Sequence, residues 1–155
     1  MRFCSLGVAQ ASGERIVVAN GHVILFPYLA PRRQLPLLLD NLGRRFEQVK
    51  VDRGYFAEAH EGRGLAAAEL DNDADLDMAI SHLNEPAAVL RNDAPQGQWL
   101  AVKLVGTSSN RDAIGARLVL QTSAGATHRY VKGGGSYLSS GDRRVYWGIG
   151  SGVTI

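Results

Sequence analysis

A single cysteine, Cys4, leaves this chain with no intrachain disulfide. Apolar residues make up 45% of it, yet no run approaches the length of about 20 residues that a membrane-spanning helix needs. Charge of one sign is also lacking. The formal net charge is +2, and the arginine pairs Arg32–Arg33, Arg44–Arg45 and Arg143–Arg144 are scattered. This excludes a strong electrostatic draw to nucleic acid or anionic membrane. There is no Asn-x-Ser/Thr sequon. The opening "MRFCSLGVAQAS" has one arginine and a small-residue "AQA", but its apolar stretch is too short for a clear signal peptide. A long amphipathic helix is missing too. "AEAHEGRGLAAAEL" has helix-forming residues, but its two glycines argue against one.

Catalytic signatures are equally scarce. No G-x-S-x-G elbow, phosphate loop or H-E-x-x-H pair is present. His22, His60, His82 and His128 are widely spaced and read as turn or surface residues. Ser81 and His82 are neighbours, but adjacent strand residues face opposite sides and cannot act as nucleophile and base. No catalytic residue is assigned, and the chain is read as a non-enzyme.

What the sequence does have is a period of two. Short β-rich stretches recur at 15–19, 36–40, 45–49, 65–70, 76–81, 87–92, 99–106, 115–122, 127–132 and 144–149. Turn clusters such as "NLG", "NEP", "SSNRD" and "GGGS" separate them, and the 18 glycines suit such turns. "GARLVLQTSAGATHRYVK" reads as a hairpin around a Ser-Ala-Gly-Ala turn. The chain is all-β. "VVANGHV…PLLLDNLG" echoes "MAISHLN…AAVLRNDA", a weak internal repeat that points to stacked β-units. A boundary is expected at Asn92–Gln98.

One stretch stands apart. In "AELDNDADLDMAIS", Glu69, Asp71, Asp73, Asp75 and Asp77 occupy alternate positions and hold a third of the 15 acidic residues. An acidic turn can simply be solvated. Carboxylates this close, however, repel by about 1 kcal/mol per pair even in water. A hard cation converts that repulsion into a bond network, and calcium takes six to eight oxygens at about 2.3–2.6 Å. Glu69, Asp71, Asp73 and Asp77 can turn carboxylates inward, and Asp75 can offer its backbone carbonyl. An EF-hand is ruled out, because its bidentate Glu would fall on Ile80, inside an apolar strand.

Those residues carry a family resemblance. "GRGLAAAELDNDADLDMAISHLNEPAAVLRND" (Gly62–Asp93) resembles an FG-GAP/VCBS repeat, and residues from Trp99 onward resemble the ASPIC/UnbV domain, through "SNRDAIGAR" (Ser109–Arg117) and "GGSYLS" (Gly134–Ser139). Together they resemble the cartilage acidic protein-like family. The resemblance implies partial β-propeller blades over 1–93, the first repeat degenerate and without metal, then a small β-sandwich-like domain over 97–155, truncated at its C-terminus. It implies a secreted, cell-surface or periplasmic protein that binds a protein or glycan partner at the cell surface or matrix. Structural Ca2+ would fall on Glu69, Asp71, Asp73, Asp75 and Asp77. Glu69 stands where the family has Asp, and Ala74 where it has Gly. Ala in a left-handed backbone costs about 1–2 kcal/mol, so the expected affinity is weak. Too few blades for a closed propeller suggest a piece of a longer protein that self-associates through open edges.

An alternative reading is a carbohydrate- or matrix-binding module that acts through the C-terminal domain without a working metal site. Trp99, Tyr130, Tyr137, Tyr146 and Trp147 all lie there, most of them expected in the core. Two or three sharing an exposed face would suit a glycan or a protein. "KGGGSY" (Lys132–Tyr137) is read as a glycine turn rather than an anion cradle, and Arg111–Asp112 as a pair that fixes a turn.

Overall fold

Alternating apolar residues cut by frequent turn clusters should give brief antiparallel strands. The computed structural model describes residues 5–10, 13–23, 30–73, 75–93 and 97–149. The strands are β1 (Ser5–Gln10), β2 (Gly13–Val18), β3 (Leu37–Asn41), β4 (Phe46–Gln48), β5 (Gly62–Ala68) and β6 (Asp77–His82). They continue with β7 (Ala88–Leu90), β8 (Trp99–Val102), β9 (Arg117–Thr122), β10 (Gly125–Tyr130) and β11 (Val145–Gly148). A single 3-10 turn, Tyr55–Ala57, is the only helical element among the described residues. The fold is all-β.

Two meanders form the N-terminal part. One sheet has the order β1-β2-β3-β4 and the other β5-β6-β7, with every pairing antiparallel. None of the sheets closes into a barrel or propeller among the described residues. Leu65 and Ile80 are direct cross-strand partners. They pack with Val17 of β2 and with Ala19 just beyond it, all four about 1% exposed. Burying a side chain the size of Val17, Leu65 or Ile80 contributes about 1.5–3 kcal/mol. A bulge interrupts the β5–β6 register between Gly62 and Leu65. There the Gly64 N–H donates to the Ser81 hydroxyl at 2.9 Å, so this serine replaces a missing ladder partner.

The C-terminal part is built from the hairpin β9–β10 and the pair β8–β11. Leu120, Val131, Val145 and Trp147 form their common core, with Leu100, Val102 and Leu118 packed against it. Of the five aromatic residues expected mostly in this core, only Trp147 is buried; Trp99, Tyr130 and Tyr137 are exposed and Tyr146 half-buried. Strand alternation separates Tyr146 from Trp147. Val145 and Trp147 take the inward positions of β11, which turns Tyr146 to the other face.

The two parts meet along β5, an edge strand of its sheet. Ser139 Oγ donates to the Leu65 carbonyl at 2.7 Å. The Asp142 N–H donates to the Ala67 carbonyl at 2.9 Å. These bonds occupy strand carbonyls that an open edge would present to another chain. The approach needs small residues: a Cβ on Gly141 would lie 2.8 Å from the Ala67 oxygen. Gly141→Val should therefore lower stability by about 1–3 kcal/mol, the usual cost of overpacking. Gly134→Ala should change it little, because nothing lies within 4 Å of that Cβ. Chemical denaturation of both variants checks this; equal midpoints would mean that the seam is loose.

Candidate metal centre

The β5–β6 connection spans residues 69–76 and carries the alternating acids. Its backbone folds around them. The Asn72 N–H donates to Glu69 Oε1 at 2.6 Å, the Asp73 N–H to Asp71 Oδ1 at 3.3 Å, and the Asp75 N–H to Asp73 Oδ1 at 2.9 Å. Asn72 takes a left-handed backbone, φ 63°, which asparagine tolerates better than most residues. Ala74, the position expected to carry left-handed strain, lies outside the described residues.

Asp77 anchors the arrangement. It opens β6, is about 1% exposed, and accepts the Leu70 N–H at 3.1 Å on one oxygen and the Asn92 N–H at 2.9 Å on the other. One carboxylate thus fastens the start of the acidic loop to the chain leaving β7. Glu69, Asp71 and Asp77 each place a carboxylate oxygen within 4.8 Å of the others. Asp73 and Asp75 lie outside that trio. Asp75 Oδ2 is nonetheless buried and has no hydrogen-bond partner among the described residues. One nearby cation, Arg91, reaches Asp71 only at 3.7 Å and pairs with Asp93 at 2.7 Å.

The electrostatics follow from crowding. Desolvation, then the Asp73 and Asp77 carboxylates, hold the Asp71 carboxyl above its ordinary range. Desolvation, then Asp73, Asp77, Glu69 and Asp71, do the same to Asp75. The loop folds against its own negative charge.

A second cluster escaped sequence reading. The His60 ring stacks on Tyr55 at 4.3 Å and lies 5.2 Å from His82. Tyr55 Oη and His82 Nε2 are 2.8 Å apart, and Glu85 sits 3.1 Å from His60 Nδ1. Sheet register, which puts Gly62 opposite His82, brings the two histidines together; their spacing along the chain carries no such signal. The four ring nitrogens are already engaged: His60 Nε2 meets the Tyr55 carbonyl and His82 Nδ1 the Pro86 carbonyl. This is a bonded lattice rather than a ligand set.

The expected Arg111–Asp112 pair is also corrected: Asp112 pairs with Arg143. Asn110 fixes the turn instead, accepting the Ile114 N–H at 2.9 Å and donating to the Ile114 carbonyl at 3.1 Å.

Two expectations follow. Asp77→Ala leaves two backbone donors unpaired and should cost about 3 kcal/mol, read by denaturation, with Asp77→Asn milder because it keeps an acceptor. Glu85 behaves differently from the loop. The Glu61 N–H, then, against a burial penalty, His60 and Arg33, hold its carboxyl below the ordinary range. A carboxyl lowered on folding stabilises fully above its unfolded value and loses that contribution as pH falls through its folded value. Glu85→Gln should reduce the acid-side loss of stability, seen in melting curves taken from neutral to acidic pH.

Comparison with known proteins bears on the C-terminal part. No curated protein matches the chain. Residues 106–155 match the family model described as ASPIC and UnbV. The match starts beyond the acidic loop and takes in both the Asn110 turn and the residues that dock on β5, so the C-terminal part of the chain is similar to the ASPIC and UnbV family.

Proposed function

We propose that the Glu69–Asp77 loop holds one structural Ca2+, and that the chain is a non-enzymatic β interaction module of a secreted or surface protein. One observation carries the metal reading: carboxylate oxygens of Glu69, Asp71 and Asp77 gather within 4.8 Å of one another. Two oxygens bound to one calcium at about 2.3–2.6 Å are at most about 5 Å apart. The trio therefore fits a single ion with little rearrangement. The buried, unpaired Asp75 Oδ2 supports the same reading, since an orphaned oxygen in a crowded anionic loop is short of a cation. Asp75 offers this side-chain oxygen in addition to the backbone carbonyl considered above.

Calcium would supply the positive charge that the loop lacks. The chain's own residues do the rest. Asp77 sets the loop's origin, Asn72 makes the turn, and the inward N–H groups orient Glu69, Asp71 and Asp73. The loop joins two antiparallel strands, as the FG-GAP/VCBS resemblance of Gly62–Asp93 implies. Interaction would then rest on strands whose connection the cation holds rigid.

Calorimetric titration tests the site. One calcium per chain should bind in the range of about 10⁻⁴–10⁻³ M typical of extracellular modules. Asp71→Asn should weaken binding about tenfold or more while leaving the chelator melting point unchanged or raised, because a repulsion is removed. No binding heat up to several millimolar calcium would overturn the proposal.

A further inference from the structure

A cleft of about 350 Å³ opens where the C-terminal part meets the acidic-loop end of β5. Its volume lies near the low end of the about 300–1,000 Å³ common for ligand sites. Ala67 and Leu76 belong to its lining, as do His128, Arg129, Tyr130, Lys132, Arg143 and Arg144. Among the lining residues, four cations (Arg129, Lys132, Arg143 and Arg144) face one carboxylate, Asp142, a net of +3. The whole chain nets only +2. The remaining residues therefore net −1, so the lining is more positive than the rest of the chain, and low-dielectric walls strengthen its field.

The single carboxylate is already engaged. Asp142 accepts the Arg144 N–H at 2.9 Å, the Arg144 Nε–H at 2.5 Å and the Tyr146 hydroxyl at 2.7 Å. Burial opposes its ionisation, but these bonds outweigh the penalty and hold its carboxyl low. Arg144 is held over the Tyr146 ring, 5.3 Å from its centroid. Arg143 takes its partner, Asp112, from outside the lining. Lys132 has no hydrogen bond or ion pair among the described residues. One wall is aromatic. His128 and Tyr130 are alternate residues of β10, edge to face at 6.0 Å, and Tyr130 is 50% exposed. Gly134 and Gly135 leave another part of the lining without side chains.

We infer that this cleft binds an acidic saccharide, a sugar ring bearing a carboxylate or sulfate. The anionic group pairs with Lys132 and the neighbouring guanidinium groups through charge-assisted hydrogen bonds. The apolar face of the ring lies on Tyr130, whose exposed surface is otherwise spent on water. Leu76, the last residue of the acidic loop, belongs to the lining, but the contacts inferred here need no metal.

The test is titration of the full chain with a uronate oligosaccharide, in calcium and again in chelator. Its carboxyl-reduced neutral counterpart, inorganic sulfate and an oligoglutamate serve as comparators. The uronate sugar should bind in both buffers, weaken with added salt, and outbind all three comparators. Lys132→Glu and Tyr130→Ala alter exposed residues and should melt like the parent, yet each should weaken binding about tenfold or more. Equal binding of the neutral sugar, or binding unchanged in Lys132→Glu, would overturn the inference. So would sulfate or oligoglutamate matching the sugar, since the cleft would then read an oxyanion or an acidic peptide. Binding seen only with calcium would assign the sugar to the metal loop and overturn it equally.

Discussion

The buried carboxylate of Asp77 ties together parts of the chain that would otherwise drift. Its two oxygens receive the Leu70 and Asn92 N–H groups, one on each side of the β6–β7 hairpin. Leu70 follows β5 and Asn92 follows β7, so this one side chain ties both to the start of β6. A buried carboxylate is costly unless it is hydrogen-bonded, and two backbone donors meet that need. Glu69 and Asp71 are then held next to it. Glu69 and Asp71 cannot escape their mutual repulsion without releasing the turn that Asn72 makes. The result is a folded loop with an electrostatic deficit, which is the property a cation site requires.

The same strand carries a second dependence. Leu65 and Ala67 of β5 are both buried, Leu65 in the N-terminal core, while their carbonyls accept Ser139 and Asp142 from the C-terminal part. The stretch from Ser136 to Arg144 thus does two things. It caps an edge strand, and it aligns Asp142, Arg144 and Tyr146 along the cationic cleft. Glu69 raises the proton affinity of Arg144 and Tyr146, although in both cases behind larger contributions: the Asp142 hydrogen bond for Arg144, and burial for Tyr146. The acidic loop and the basic cleft are therefore electrostatic neighbours with opposite signs.

Much of this was legible in the residues. Alternation located strands at ten places, because a half-buried strand must place apolar side chains on every second position. The alternation of Glu69, Asp71, Asp73, Asp75 and Asp77 marked the acidic loop, but not that only Glu69, Asp71 and Asp77 would gather, because a loop does not keep a strand's alternation. Other features were hidden because they depend on register. The hairpin turn is tighter than Ser-Ala-Gly-Ala suggests: Thr122 pairs directly with Gly125, whose φ is 131°. The pairing of Asp112 with Arg143, and the meeting of His60 with His82, join residues far apart in the chain. The strand Ser5–Gln10 was masked by its likeness to a leader, because a short apolar run serves both equally well. Asp77 looked like one acid among five, and nothing in its spacing said that it would be the buried one.

Amide hydrogen exchange of Leu70, Asn72 and Asn92, in calcium and in chelator, tests the central claim most directly. These three N–H groups bond to Asp77 and Glu69. A cation held by those carboxylates should slow all three together, and the effect should disappear in Asp71→Asn. Identical exchange in calcium and chelator would show that the acidic loop is complete without a metal, and would contradict the account.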